Sequence, residues 1–487
     1  KNLFLNDSLQ NKMFIKNRRY IFSLTIIFVL AGIFFRFYQL NFENYWWDEM
    51  LGFWVADPNI SSEETYYRRE FHDESSILFH FILKNYYKLF GYNSETGRYV
   101  PFFFGVLSIP ILGILSCQIK KNNSYLLTIL LISVNIYLIN YSQETRYYSL
   151  VFLISIINLI FYYKILSLNL VGSKRIYVFF LFILFSVFSF SLSPFILIIF
   201  FSQIAYCIYA FYVFKTKNYL FFLSVPIILI IYLTLNYDYL FFELASKRNH
   251  FVSPVDWRFI YNLFFPRFFG SQIMGLIYMF TLFFLIINFR KEIFFISNNY
   301  LPLIFILFFS YLIPFSYELF VTPILADRYI IFVLIPILIL ISVLIFEIKR
   351  KFIQNALILF ILIPTFINHY LEIKLRENIK PEFNNLFNYL KKDETKNLTL
   401  FQGDDMDNIS VEIVENYIRS LNVIKKNNFK LFDIYNFPSE LEKAWVICYE
   451  SFSGSDCSTS SNKSKNWILL DAKKFHLINA KLFITKN

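Results

Sequence analysis

Apolar residues along this chain come in long, nearly unbroken runs separated by short polar stretches. The runs match the roughly 18–20 residues that an α-helix needs to cross about 30 Å of hydrocarbon. Eleven spans are read, at about 20–40, 97–118, 124–140, 147–169, 176–192, 195–214, 219–237, 270–289, 298–316, 329–347 and 352–370. With a cytoplasmic N-terminus, every second loop is short and basic, carrying Lys120-Lys121, Lys174-Arg175, Lys215 with Lys217, Arg290-Lys291, or Lys349-Arg350-Lys351. Basic loops mark the cytoplasmic side. The opposite face then receives the first loop (41–96), the turn Tyr141 to Arg146, the loops 238–269 and 317–328, and the tail from 371.

Two of these outer segments predict structure of their own. Ser75 to Gly91 is apolar and aromatic but short, with polar interruptions at His80, Lys84 and Lys88, so it reads as a juxtamembrane helix at the interface. Beyond Leu371, strand-like stretches (Asn397–Gln402, Phe429–Ile434, Trp445–Tyr449, Trp467–Leu470, Leu482–Thr485) alternate with helical ones (Asp407–Leu421, Pro438–Ala444). That alternation predicts a small α/β domain. Ser451–Lys465, rich in Ser and Asn, reads as a loop. The predicted fold class is an all-α polytopic membrane domain (1–370) with a small extracytoplasmic α/β domain (371–487).

Composition agrees. Hydrophobic residues make up 57% of the 487, with 64 phenylalanines, which leaves too little polar surface for a soluble globule. A formal charge of +11 would suit nucleic acid, but the basic residues sit in the short loops as topology signals, not on one amphipathic face. The run from Tyr20 follows Lys16, Arg18 and Arg19, is longer than a signal-peptide core and lacks a small-residue cleavage site, so it reads as a retained first span. Low Gly with high Phe, Ile, Asn and Lys gives the impression of an AT-rich bacterial genome; the expected location is a bacterial inner (cytoplasmic) membrane. Cys117 and Cys207 lie in apolar runs as small hydrophobes, whereas Cys448 and Cys457 could pair as a disulfide if the tail is extracytoplasmic.

The candidate chemistry lies at the outer ends of spans. After the first run, Phe35-Arg36-Phe37-Tyr38-Gln39-Leu40 is followed by Tyr45-Trp46-Trp47-Asp48-Glu49. Arg36 can snorkel to the interface, and the Trp rings suit the same layer. Asp48 and Glu49 can be read as first-turn acids of a helix, or as catalytic carboxylates where a lipid-linked substrate presents its headgroup. Spacing alone favours the capping reading.

Resemblance changes that balance. The Arg36-to-Leu40 and Trp46-to-Glu49 segments resemble the start of the family 39 and related C-type glycosyltransferases, a group that includes protein O-mannosyltransferases and lipid A aminoarabinose transferases. Lys88-Leu89-Phe90-Gly91 with Glu95, Arg98 and Phe104-Gly105-Val106-Leu107 resembles the family's Leu-Phe-Gly…Glu…Arg…Phe-Gly-Val-Leu stretch. Tyr141-Ser142-Gln143-Glu144-Thr145-Arg146 resembles its Tyr-Ser-Gln-Glu-Ala-Arg turn, and Asp327-Arg328-Tyr329 with Pro336 its Arg-Tyr…Pro element. The likeness covers roughly residues 30–345. Two elements depart from it: Phe71-His72-Asp73-Glu74-Ser75-Ser76 stands where the family has His-Pro-Pro, and Ser191-Leu192-Ser193-Pro194-Phe195 replaces a Thr-His-Tyr element. These departures leave the acceptor type open.

The resemblance implies transfer of a sugar from a polyprenyl-phosphate donor to a lipid, glycan or protein acceptor with inversion. Asp48 would be the base, because a phosphate is already a good leaving group and the acceptor hydroxyl is what must lose a proton. Glu49 would orient the acceptor or help hold a divalent cation (Mg²⁺ or Mn²⁺), with Glu144 as a further ligand. Arg98, Arg146 and Arg328, the last beside Tyr329, would face the phosphate charge; each could instead pair with Glu95, Glu144 or Asp327. Lys247, Arg248, Arg258 and Arg267 could form an electropositive rim, or be cations that a long loop carries across regardless. His72, beside acids, is a further candidate; His80, His250, His369 and His476 read as structural. A transporter would place ionisable groups at mid-membrane, and these spans are apolar inside. A polysaccharide polymerase or ligase would carry its arginines in a large late loop. Trp46-Trp47-Asp48 invites comparison with oligosaccharyltransferases, whose Trp-Trp-Asp motif belongs to a C-terminal soluble domain.

Overall fold

A computed structural model of the chain describes residues 2–72, 76–166, 173–215, 219–235, 265–291, 293, 299–320, 326–400, 408–432, 442–449 and 467–485. The chain forms two compact units. One comprises Lys1–Tyr38, Pro101–Ser142 and Tyr147–Leu375, and the other Gln39–Val100, Gln143–Arg146 and Arg376–Asn487.

The first unit is helical. Each of the eleven expected spans falls on helix: α1 (Asn2–Phe37), α6 (Tyr99–Ile119), the pair α7 (Ser124–Val134) and α8 (Ile136–Ser142), α9 (Tyr148–Leu166), α10 (Ser173–Leu192), and the helices Leu197–Phe214, Tyr219–Leu235, Gln272–Asn288, Leu301–Phe320, Leu334–Glu347 and Lys351–Lys374. Among the described residues, eight helices are long and apolar enough to cross a membrane, or nine if α7 and α8, bent by 57°, make one span. Phe221–Thr234 and Gln272–Asn288 are shorter apolar helices. Helices apolar on every side can be buried in protein or face lipid. Burial separates them: the span Asp327–Glu347 is 89% buried, whereas Tyr20–Phe37 is 11% buried and Lys351–Lys374 17%. The former is enclosed by other helices; the latter two are largely exposed.

The break between α7 and α8 explains Arg36. Asn135 leaves the helical conformation (φ −72°, ψ 113°), and its side-chain oxygen accepts from Leu138 N–H at 2.9 Å, capping the start of α8. The break strands carbonyls at the end of α7. Arg36 supplies their donors: Nη2 reaches Ile132 O at 3.0 Å and Nη1 reaches Ser133 O at 3.3 Å. The side chain is fully buried, so the expectation that it snorkels to the interface is corrected: its charge has backbone oxygens to meet inside. Gly105 belongs to the same contact, since a Cβ there would sit 2.6 Å from Ser142 Cβ.

The second unit combines α2 (Trp47–Val55), α3 (Ser62–His72), α4 (Ile77–Phe90) and α5 (Ser94–Gly97) with a five-stranded sheet. The strands β1 (Asn397–Leu400), β2 (Lys430–Phe432), β3 (Lys443–Tyr449), β4 (Trp467–Phe475) and β5 (Ile478–Thr485) run in the order β2-β1-β3-β5-β4. β1 pairs parallel with β2 and β3, with helix Asn408–Ser420 as the β1–β2 crossover, while β5 is antiparallel to β3 and β4. Lys443 and Ala444 open β3 instead of ending the expected Pro438–Ala444 helix, most of which lies outside the described residues. Helix α4 occupies the expected Ser75–Gly91 segment. Two of its polar interruptions are nonetheless buried: Lys84 Nζ donates to Ile60 O, Ser61 O and Thr65 Oγ1 at 2.6–3.0 Å, and His80 is enclosed. Cys448 is buried and disulfide-bonded; Cys457 lies outside the described residues.

Candidate active site

The site grows from the start of α2. Trp46 is extended, and Asp48 and Glu49 occupy the helix's first turn, where the exposed N–H ends favour negative charge. Glu49 is completely buried. A buried carboxylate is tolerated only with partners, and this one is saturated. Its Oε1 accepts from Arg98 Nε at 3.2 Å and from Thr145 N–H at 2.8 Å; its Oε2 accepts from Arg98 Nη2 at 3.1 Å and from Lys380 Nζ at 2.9 Å. Burial alone would raise its pKa, but Arg98 and then Lys380 outweigh that and bring it to about 2.

Arg98 is equally committed. Besides Glu49, Nη1 donates to Leu40 O and Glu43 O at 3.2 and 2.6 Å, and Nη2 to Asn44 O at 3.2 Å. Every nitrogen of the fork is engaged inside the unit, so the expectation that Arg98 faces a phosphate is corrected: it clamps the loop 40–44 onto Glu49. Neighbouring rings close the cluster. Tyr45 OH donates to Ser94 O at 2.5 Å and meets Thr145 Oγ1 at 2.6 Å, and its ring stacks on Tyr417 at 5.2 Å. Burial, then Glu49, raises the Tyr45 hydroxyl above its ordinary range, so it stays protonated. Gly97 must be glycine, because a Cβ would run into the hydroxyls of Tyr87 and Tyr45.

Lys380 was not anticipated. It is 7% exposed and bridges Glu49 Oε2 at 2.9 Å and Glu144 Oε1 at 3.1 Å. Burial would lower its pKa, but Glu144 and Glu49 raise it. Glu144 shifts upward, driven first by burial and opposed by Lys380. Nearby, Arg376 Nη1 donates to Gln143 Oε1 at 3.1 Å, and Arg376 Nη2 lies 3.7 Å from Glu43. The Gln143–Arg146 segment is thus held in the second unit by the Thr145 backbone N–H on Glu49 and by the side-chain contacts of Gln143, Glu144 and Arg146. The only signal at Lys380 was its position before Pro381, too weak to single out a residue.

Asp48 differs from its neighbour: its side chain is half-buried, and its backbone carbonyl accepts from Arg146 Nη1 at 2.9 Å. One turn on, Gly52 packs beside His80 and Arg146 at ordinary contact distance. A Cβ there would lie 3.7 Å from His80 Cε1 and 3.8 Å from Arg146 Nη1. Arg146 and His80 therefore pack against α2 at Gly52, and Arg146 also reaches the Asp48 backbone carbonyl. His72 ends α3, and its side chain lies outside the described residues, as do Asp73, Glu74 and Ser75.

Arg328 and Tyr329 belong to the first unit, in the 3-10 turn Asp327–Val333. The Arg328 guanidinium lies 5.5 Å from the Tyr329 ring, which stacks on Phe195 at 4.8 Å. Phe195 comes from the segment that departs from the family's Thr-His-Tyr element. Asp327 pairs with Arg267 at 3.5 Å, and Lys247, Arg248 and Arg258 lie outside the described residues.

Glu49 does not suit a divalent cation, since all four of its acceptor positions are taken. Among the described residues no group of three or more His, Cys, Asp or Glu side chains could hold a metal ion.

No protein-family model matches the sequence, and a search of curated proteins returns no match. Solved structures do match. ArnT from Cupriavidus metallidurans bound to undecaprenyl phosphate superposes with a TM-score of 0.62 at 10% identity, covering 94% of this chain and 97% of that one. The same enzyme in the apo state gives 0.62 at 9% identity over the same shares. The archaeal oligosaccharyltransferase AglB from Archaeoglobus fulgidus, in complex with an inhibitory peptide and a dolichol-phosphate, gives 0.49 at 9% identity, over 96% of this chain and 74% of that one. The chain has the fold of the C-type glycosyltransferases, with several membrane-spanning helices and a small C-terminal sheet domain.

Proposed function

We propose that the chain is an integral membrane glycosyltransferase of the bacterial inner membrane, moving a sugar from a polyprenyl-phosphate carrier to an extracytoplasmic hydroxyl. The observation that carries this reading is the convergence of three sequence motifs in one cluster: Asp48-Glu49, Glu95…Arg98 and Gln143-Glu144-Thr145-Arg146. Nothing in the packing of a membrane helix bundle requires such a cluster. The shared fold with ArnT, which was solved with a polyprenyl phosphate, supports the same reading.

In the proposed reaction the acceptor oxygen attacks the anomeric carbon as the bond from that carbon to the phosphate oxygen breaks, and the acceptor proton passes to the Asp48 carboxylate. Direct displacement inverts the anomeric centre. Asp48 suits a base because half-burial leaves it reachable, while Glu49 is closed off. The division of labour is that Glu49 fixes the first turn of α2 and Asp48 acts from it. Arg146 is proposed to meet phosphate charge at this site; Arg328 with Tyr329 is proposed, separately, as a lipid-phosphate contact of the first unit. No step is routed through a metal.

The test is incubation of membranes bearing the protein with radiolabelled polyprenyl-phosphate sugars. The reading expects label to enter an acid-stable lipid, glycan or protein product. Absence of transfer from a panel of such donors, by protein that is folded and present, would reject it.

A further inference from the structure

We infer that Lys380 is the resident cation of this cluster, standing where a divalent metal would bridge Glu49 and Glu144. The inference deepens the proposed site and rests on that reading only for its activity measurements.

The geometry is that of a bridging ion. The Lys380 ammonium lies 2.9 Å from Glu49 Oε2 and 3.1 Å from Glu144 Oε1, so two carboxylates from segments about a hundred residues apart share one cation. Its backbone is pinned on both sides. Ile379 N–H donates to Glu43 Oε1 at 3.0 Å, and Pro381 fixes its own φ. The ammonium is thus delivered by a constrained strand of chain instead of a loose surface arm. Charge balance agrees: Glu49 and Glu144 face Arg98 and Lys380, two negative against two positive, with Glu49, Arg98 and Lys380 buried and the Glu144 side chain 19% exposed. A divalent ion added beside Lys380 would leave uncompensated positive charge in a buried place, which is costly. It would also need lone pairs that Glu49 has already given to Arg98, Thr145 and Lys380.

Lys380 acts through another group. It neutralises and holds Glu49, and Glu49 holds the turn that carries Asp48, so Lys380 is a positioning residue. Because it comes from the tail, the cluster is neutral only when the segment Arg376–Glu382 is docked on the loop Glu43–Glu49.

Two measurements on the full-length protein in detergent or nanodiscs test this. The first does not depend on activity: bound Mn²⁺ is counted by electron paramagnetic resonance in the parent and in Glu144→Gln. Equal numbers are expected; a Mn²⁺ site present in the parent and lost in Glu144→Gln would overturn the inference. The second compares Lys380→Ala, Lys380→Met and Lys380→Arg in sugar transfer, with gel filtration to confirm folding. Lys380→Ala and Lys380→Met should lose roughly 10- to 100-fold, as for other groups that orient a reacting residue, while Lys380→Arg keeps most activity. Ethylammonium in the assay should restore Lys380→Ala several-fold and leave Lys380→Met unrescued, because only Ala leaves the cavity. Folded Lys380→Ala at parental activity, or no rescue by ethylammonium, would contradict the inference. If Ala and Met both fail to fold, the Mn²⁺ count decides alone. If the parent transfers no sugar at all, the transferase reading falls and the Mn²⁺ count still judges Lys380.

Discussion

Two buried arginines, one in each unit, solve the same problem in different ways. Arg36 in the helical unit is held by Ile132 O and Ser133 O, which the break between α7 and α8 leaves without helical donors, and by Gly32 O one turn back in its own helix. Arg98 in the second unit is held by a carboxylate, Glu49, together with three loop carbonyls. The first satisfies backbone; the second satisfies another charge, and the two charges depend on each other. Both have donors spent on the protein itself. The proposed catalytic roles therefore rest on less buried groups of the second unit, Asp48 above all.

The contrast predicts different costs. Replacing Arg98 by Met should be the most damaging change, about 3–5 kcal/mol, because it leaves Glu49 as a buried charge short of its main partner. Thermal melts in detergent would measure it, and a loss no larger than that of a surface Arg would break the comparison. Arg36→Met should cost less, about 1–3 kcal/mol, since it orphans neutral carbonyls. A loss equal to that of Arg98→Met would show that charge is not what separates the two sites.

Arg328→Ala should leave the melting temperature unchanged and raise KM for the lipid-phosphate donor about tenfold, or about 1.4 kcal/mol. An unchanged KM would remove it from the proposed donor contacts. A separate test concerns pH. Glu49 falls from an ordinary 4.5 to about 2 in the folded protein, so its contribution to stability is present above pH 4.5 and is lost as pH falls through about 2. Melts between pH 7 and 2 should show this acid loss in the parent and a shallower one in Glu49→Gln. Identical acid limbs would place the loss elsewhere.

Much of the fold was legible, for a physical reason. Hydrocarbon demands long apolar helices and short basic loops, and both are written locally in the chain. Alternating patterns likewise gave the α/β tail, because strand and helix periods are local too. The candidate site was legible only as separate motifs. Asp48, Glu144 and Arg146 were singled out, but their partners depend on contacts between residues far apart. Arg98 and Arg36 looked like outward-facing cations because sequence does not reveal which carbonyls and acids will surround them. Lys84 and His80 looked like interfacial polar residues, yet the loop Ile60–Ser61 and helix α2 enclose them. Lys380 carried no local mark, and only the folded tail brings it to Glu49.

Asp48 and Glu49 are adjacent acids given opposite duties, so the most direct measurement takes Asp48→Asn and Glu49→Gln side by side, recording melting temperature and sugar transfer on the same preparations. The account predicts that Asp48→Asn melts like the parent yet loses at least about 100-fold in transfer, whereas Glu49→Gln melts several degrees lower. Asp48→Asn transferring sugar at the parental rate, or Glu49→Gln matching the parent's melting temperature, would contradict it.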